Sequence, residues 1–526
     1  MIVGPSFEDA SGGAWERYVP EKAERIPRSA PERDADRILY STAFRRLDGI
    51  TQVAAAGEVA LFHNRLTHSL KVGQVGRKIA ASINYQARLD HKVRRACFQY
   101  SGLPFNEKAE EAIDPWILEA AGMAHDLGHP PFGHIAEAVL QKVLGKTPND
   151  HETLKVPEGF SLNDSFEGNA QSFRIVTRLA FGRLSLNQQN KAEGLNLTRA
   201  TLSAILKYPW LCNQRPNGVD ALKLKWGAYD SEAAILSWSQ QGVSHEQRLR
   251  PDGLPEWRSI TAQAMDWADD ITYAVHDVED FCRAKLIPAE ILSKSDPNSA
   301  LVAGFWDYCA HHLRGNTLIA EKLGLDKSST DQRLLKIFNE VRRRLPEASQ
   351  ATRSERESFR RWSSERIDAF TDPGPDGIFL NSKTGFLDVA LESLVEVEIL
   401  KKLTWYFVIN RPALGSAQRG QAKIIRELFV WLSEWSQGEY QGPQWDSPSV
   451  ARTEYNLNGL PPRLIDYLDV TYWQTPPDGG YKTASERIAR AVVDYIASLT
   501  ERQAVELHSR LAGVTTASML DSWFQV

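Results

Sequence analysis

Along most of the chain, apolar residues recur at intervals of three and four rather than two. The set Leu70, Val72, Val75, Gly76 and Ile79 has a helical period, as do Ile117, Ala120, Ala121 and Ala124. The same holds near the C-terminus for Ile488, Ala491, Val492, Tyr495 and Ile496. Alternating strand-type runs and hairpin dipeptides are scarce, so the pattern predicts an all-α protein. Gly and Pro interrupt the helical register at 128–133 (GHPPFG), 208–210 (YPW), 251–255 and 372–377 (DPGPDG). The last break reads as a hinge between a first part that holds most of the histidines and a C-terminal helical part. No Ser/Gly linker and no internal repeat divides them, so the parts read as subdomains.

Composition narrows the class. The 526 residues are 42% hydrophobic and 25% charged, which excludes disordered and collagenous chains. The cysteines at 97, 212, 282 and 309 form no CxxC pair, so neither a zinc ribbon nor a disulfide framework fits, and a reducing cytoplasm does. The first thirty residues lack a signal-type apolar core, and no uncharged apolar run of about 18 residues occurs, so no membrane association is expected. A net charge of −5 argues against a protein that coats nucleic acid by bulk charge. Residues 333–366 run against that balance, with ten Lys/Arg and five Asp/Glu. This stretch reads either as a solvated helix face or as a phosphate-binding surface on which Phe359 and Trp362 could stack bases.

Chemistry concentrates elsewhere. Six of the twelve histidines, His63, His68, His91, His125, His129 and His134, lie between 63 and 134. His68 follows Thr67, which reads as a helix N-cap. His125 and Asp126 end an apolar helix, and Gly128, Pro130 and Pro131 supply a tight turn in which adjacent residues can face one ion. A helix from about Phe132 would place His134 and Glu137 at i and i+3 on one face. In the acidic helix from Asp266, Asp269, Tyr273 and Asp277 form a polar stripe flanked by Ile271, Val275 and Val278. Asp266, Asp270 and Asp280 read as surface charges, and His63, His91, His245 and His508 as surface or satisfied histidines. Imidazole with carboxylate suits Mn, Fe, Zn, Co or Mg.

The order His68, His125-Asp126, Asp269 resembles the H…HD…D signature of HD-domain metal-dependent phosphohydrolases. Longer segments resemble one branch, the deoxynucleoside triphosphate triphosphohydrolases of the dGTPase type: FRRLDGITQV (44–53), NRLTHSLKV (64–72), AHDLGHPPFGHIAE (124–137), FEGNAQSFRI (166–175), LKYPW (206–210), ADDITYAVHDVED (268–280) and RAVVDYIASLTERQA (490–504). The likeness is close over about 30–290, patchy to about 480, and reappears afterwards. It implies an N-terminal arm (1–35), an HD phosphohydrolase domain (36–290) and a helical C-terminal subdomain packed on the core (291–526).

Carried over by position, His68, His125, Asp126 and Asp269 match divalent-metal ligands, and His134 with Glu137 matches a catalytic pair. Gln52, Arg65, His129, Lys207, Tyr273 and Asp277 match positions that contact the nucleotide. The implied reaction is water attack at the α-phosphorus of a dNTP, often dGTP, releasing deoxynucleoside and inorganic triphosphate. Tyr273 against the sugar would exclude a 2′-hydroxyl, and Asp277 would accept from the 3′-hydroxyl. The resemblance also implies a homo-oligomer, often hexameric, with single-stranded DNA or nucleotides as effectors. The competing expectations are an HD phosphohydrolase of another nucleotide substrate and a DNA-binding regulatory protein on the same scaffold.

Overall fold

The computed structural model describes residues 13–21, 28–52, 62–104, 109–145, 156, 159–180, 194–215, 225–244, 248–253, 255–324, 327–346, 353–440, 459–473 and 480–515. Helices dominate, as the periodicity predicts; the one sheet among the described residues has two three-residue strands. The elements that build the site are α1 (Thr42–Arg46), α2 (Arg65–Leu89), α3 (Pro115–Ala124), α4 (His134–Leu144), α5 (Gly168–Arg174) and α6 (Ile260–Arg283). The later part adds α7 (Lys327–Arg343), α8 (Arg353–Thr371), β1 (Ile378–Leu380), β2 (Leu387–Val389), α9 (Leu391–Thr404), α10 (Ala484–Ser498) and α11 (Glu501–Leu511). Among these residues no helix is long and apolar enough to cross a membrane.

The helix starts are set by capping, though not always where the sequence suggests. Helix α2 begins at Arg65 because the Asn64 side chain accepts from the Thr67 amide, so Thr67 lies within the first turn and is not the N-cap. Its buried stripe runs through Val72, Val75 and Ile79, while Leu70 is 42% exposed and leaves the expected set. Helix α6 starts at Ile260, six residues before Asp266, capped by Ser259. The stripe of α3, Ile117, Ala120, Ala121 and Ala124, is fully buried.

Helices α2 and α3 cross almost backbone to backbone. A Cβ placed on Gly122 would lie 2.6 Å from the Gly73 amide nitrogen, and one on Gly76 would lie 3.2 Å from Leu118 Cβ. At Gly122 only a hydrogen side chain permits that approach, while Gly76 is tight, and the crossing sets the N-terminal part of α2 beside the C-terminal end of α3.

The break at 372–377 is a braced turn and not a free hinge. The Ile378 amide donates to the Asp372 carbonyl at 2.9 Å, and the strands that follow are held to the first part of the chain. Leu380 N donates to Gln86 Oε1 on α2 at 3.0 Å, and Leu387 N donates to Gln263 Oε1 on α6 at 2.9 Å.

The basic stretch also differs from one expectation. Phe359 and Trp362 are 2% and 6% exposed, so they pack inward and offer no stacking surface. Helices α7 and α8 are amphipathic, and the aromatic residues at i and i+3 belong to the face that the protein covers. Arg342 is buried and donates to the Leu292 and Ser295 carbonyls, Arg333 pairs with Glu392, and Arg366 pairs with Glu396. Arg343, Arg344, Arg360 and Arg361 stay exposed. Residues 347–352 and the side chains of Arg353 and Arg356 fall outside the described set.

The tight helix crossing yields a test. Gly122→Ala must push the two backbones apart and should destabilise the protein by about 1–3 kcal/mol. Gly420→Ala, where a Cβ meets open space, should instead stabilise by about 0.5–1 kcal/mol. Denaturant midpoints of the two variants check the contrast, and equal midpoints would show that the crossing is not strained by a methyl group.

Candidate active site

Because of the α2–α3 crossing, His68 and His125 face each other with ring centroids 5.6 Å apart, and α6 brings Asp269 between them. His68 Nε2 lies 2.9 Å from Asp269 Oδ1, and His125 Nε2 lies 3.4 Å from the same oxygen. One ligand atom from each of the three residues fits within a 4.8 Å group. His125 Nδ1 donates to the Gly122 carbonyl at 2.7 Å, which leaves Nε2 as the ring atom that a neutral imidazole would offer to a cation. That Nε2 is buried without a hydrogen-bond partner and faces two carboxylates. An unpartnered buried acceptor among carboxylates is the donor set a divalent cation takes, so the residues fit a metal ion.

Asp126 stands at the rim of this group. Its Oδ1 is 3.3 Å from His125 Nε2 and 3.1 Å from His129 Nδ1, while Oδ2 accepts from Arg65 at 2.6 Å. Burial opposes its charge, but His125, His129 and Arg65 hold the carboxyl well below the usual range. Asp269 behaves alike: burial opposes ionisation, and Lys207 and His125 overcome it. Lys207 bonds Asp269 directly and lies 3.3 Å from Asp266, and although burial works against its charge, those carboxylates raise its pKa. Asp266 also pairs with Arg258 at 2.6 Å and Asp270 with Lys401 at 3.1 Å.

A second group sits beyond the GHPPFG turn. Gly133, at φ +54°, lets the chain reverse into α4. His134 Nδ1 donates to Glu137 Oε2 at 2.7 Å, and His129 Nε2 lies 3.9 Å from Glu137 Oε1. Burial opposes the Glu137 charge, yet the bond from His134 lowers its pKa to about 2. The His134 side chain is 69% exposed and therefore open to a ligand.

The FEGNAQSFRI segment forms the floor under both groups. Glu167 caps α5 by accepting from the Asn169 and Ala170 amides. Ser172 Oγ donates to the His125 carbonyl at 2.7 Å and accepts from the Gly128 amide at 2.8 Å. A Cβ on Gly168 would lie 2.4 Å from Glu137 Oε1, so glycine is required there for the carboxylate to approach.

On α6, Asp277 is buried with Oδ2 unpartnered, and Tyr273 is half-buried on the same face. Gln52 also has a buried, unpartnered Oε1. Asp280, expected at the surface, is 4% exposed and accepts from the His63 amide at 2.6 Å, with His63 Nδ1 2.7 Å away. His508 is satisfied by Glu427 and Trp431, and His245 falls outside the described residues.

Sequence reasoning missed two groups. Lys225 Nζ lies 6.0 Å over the Tyr208 ring, and although burial opposes its charge, Tyr208, Glu167 and Glu137 raise its pKa. Glu167 belongs to FEGNAQSFRI, where its acid reads as an ordinary helix-start charge. Single residues next to Gly or Trp carry no spacing signal that could have marked either.

A helical core in which a histidine, a His-Asp pair and a distant aspartate converge defines an HD domain, and residues 65–181 match the HD domain family. Residues 463–510 match the phosphohydrolase-associated domain. The chain belongs to the deoxyguanosinetriphosphate triphosphohydrolase-like proteins. It is 31% identical to a protein so described from Streptomyces coelicolor over 516 residues, covering 94% of this chain and 96% of that one. A Corynebacterium glutamicum relative is 31% identical over 500 residues (93% and 92%), and one from Shewanella pealeana is 27% identical over 540 (96% and 97%). HD domains are metal-dependent phosphohydrolases, and His68, His125 and Asp269 form a group in this chain that could hold a metal ion.

Burial raises the Glu167 pKa from 4.5 to about 7. The folded state then holds a proton that the unfolded state releases, so stability falls as pH rises across that window. Glu167→Gln should melt above wild type at pH 8, with the gap closing towards pH 5. A gap constant between those pH values would show that Glu167 does not titrate there.

Proposed function

We propose that this protein hydrolyses deoxynucleoside triphosphates, with dGTP favoured, at the α-phosphorus to give deoxynucleoside and inorganic triphosphate. The observation that carries this reading is the face of α6, where Asp269 of the donor group, the Tyr273 ring and the buried Asp277 side chain with its unpartnered Oδ2 follow one another at i, i+4 and i+8. That spacing is about 6 Å per step, which suits a phosphate, a sugar ring and a sugar hydroxyl in succession.

In this reading His68, His125, Asp126 and Asp269 hold a divalent ion. When bound, the ion would polarise the phosphoryl group and lower the pKa of water. Arg65 and Lys207 neutralise the triphosphate, and both already lie on the carboxylates of the donor group. His134, oriented through Nδ1 by Glu137, presents Nε2 to protonate the leaving 5′-oxygen. Tyr273 packs on the sugar where a 2′-hydroxyl would otherwise sit, Asp277 accepts from the 3′-hydroxyl, and Gln52 and His129 complete the nucleotide contacts.

Incubation with Mn or Mg and each dNTP, with triphosphate resolved from pyrophosphate and orthophosphate, tests the reaction. Release of triphosphate is expected; orthophosphate alone would overturn the proposal and favour another HD phosphohydrolase. His125→Ala should lose both bound metal and turnover while remaining folded, and unchanged turnover would reject the ligand assignment. Tyr273→Ala should relax the preference for dNTP over NTP by about tenfold, equivalent to ~1.4 kcal/mol. A preference at the wild-type value would make Tyr273 a packing residue only.

A further inference from the structure

The C-terminal segment reaches the active-site loops at three points. Arg46, at the end of α1, donates through Nη2 to the Leu127 carbonyl at 2.7 Å and the His129 carbonyl at 2.8 Å. Its Nη1 donates to the Leu499 carbonyl at 3.1 Å, so one guanidinium ties the His-Asp turn to the segment joining α10 and α11. Next along that segment, Thr500 lies against Gly49 so closely that a Cβ there would sit 2.6 Å from Thr500 Cγ2. Glu501, 3% exposed at the start of α11, makes the third contact.

Glu501 Oε1 accepts from the Thr51 amide at 3.0 Å, from the Thr51 hydroxyl and from the Phe132 amide at 3.3 Å. Thr51 immediately precedes Gln52. It also bridges to Asn64, the N-cap of α2, while the Arg65 amide donates to the Ile50 carbonyl at 3.1 Å. Phe132 stands two residues before His134. Its φ of +69° is a left-handed conformation that a bulky residue holds only where its surroundings enforce it. A buried carboxylate accepting the amide of that residue is such an enforcement.

We propose that Glu501 is a positioning residue for the reaction. One carboxylate oxygen fixes Thr51 and Phe132 together, and so holds Gln52 on the nucleotide side and His134 on the catalytic side in a single register. This rests on the proposed function for its consequence in turnover, but the clamp itself is measurable without substrate. The geometry makes the C-terminal segment part of the active site's construction: the loops that carry Gln52 and His134 are not covalently near each other, and this side chain joins them. A misplacement of 1 Å at a reacting group can cost ~10²-fold in rate.

Glu501→Ala, in the full chain, should lower kcat by tenfold or more while metal content stays at the wild-type level. Glu501→Gln keeps an acceptor oxygen in place and should recover most of kcat. Hydrogen exchange at the Thr51 and Phe132 amides, read without nucleotide, should accelerate in the alanine variant and return towards wild type in the glutamine variant. If Glu501→Ala does not fold, Thr51→Val removes one donor only and should lower kcat in the same direction by a smaller factor. The proposal is overturned if Glu501→Ala keeps wild-type kcat and KM, or if exchange at both amides is unchanged. Equal losses of kcat and of Tm in the alanine and glutamine variants would also overturn it, since they assign Glu501 to stability alone. Exchange that responds as stated in a protein releasing no triphosphate would uphold the clamp and reject the reaction.

Discussion

The contact on which the site depends is the crossing of α2 and α3 at Gly73, Gly76 and Gly122. Every residue of the donor group is carried by an element whose place follows from it. His68 lies in the second turn of α2, His125 at the end of α3, and Asp269 on α6, which packs over both. Side chains larger than hydrogen at the crossing would separate the helices, and the two imidazoles would no longer share one carboxylate. The donor group is thus a consequence of helix packing before it is a consequence of ligand chemistry.

The second constraint is electrostatic. Asp126 is buried and Asp269 and Glu137 are half-buried, and isolated charges there would be costly. His125, His129 and Arg65 hold Asp126 ionised, Lys207 with His125 holds Asp269, and the bond from His134 holds Glu137. Arg65 and Lys207 can turn towards an anionic ligand, because a phosphate offers them what the carboxylates offer now. An overall charge of −5 is therefore no obstacle to a highly charged nucleotide, since positive charge is placed locally.

The C-terminal helices complete this arrangement. Arg174 on α5 is fully buried between Asp494 on α10 and Glu232, at 2.8 Å from each. Arg490, also on α10, bonds Asp164 at 2.9 Å and lies 3.6 Å over the Tyr229 ring. The Arg174–Asp494 pair fastens α5, the floor of the site, to the segment matching the phosphohydrolase-associated domain, and the Arg490–Asp164 pair fastens the stretch before α5 to it. Buried pairs of this kind add little net stability over apolar packing, but losing one partner is costly, which makes them strict about register.

The sequence by itself determined the helical class, the His68, His125-Asp126, Asp269 order, the His134–Glu137 pair and the α6 stripe. Each of these side chains is placed by its own helix or turn, where a period of 3.6 or a Gly-Pro break is enough; that His68, His125 and Asp269 meet is the work of helix packing. Only the tertiary structure decided the rest. Phe359 and Trp362 sit among charges in sequence, yet the face they share is covered. Asp280 and His63 are 217 positions apart and bury each other. Glu501 stands 450 residues from Thr51, and Arg46 stands 453 from Leu499. No local period reports such partners, because hydrogen bonds and burial depend on which surfaces meet in space, and that is settled only when the helices pack.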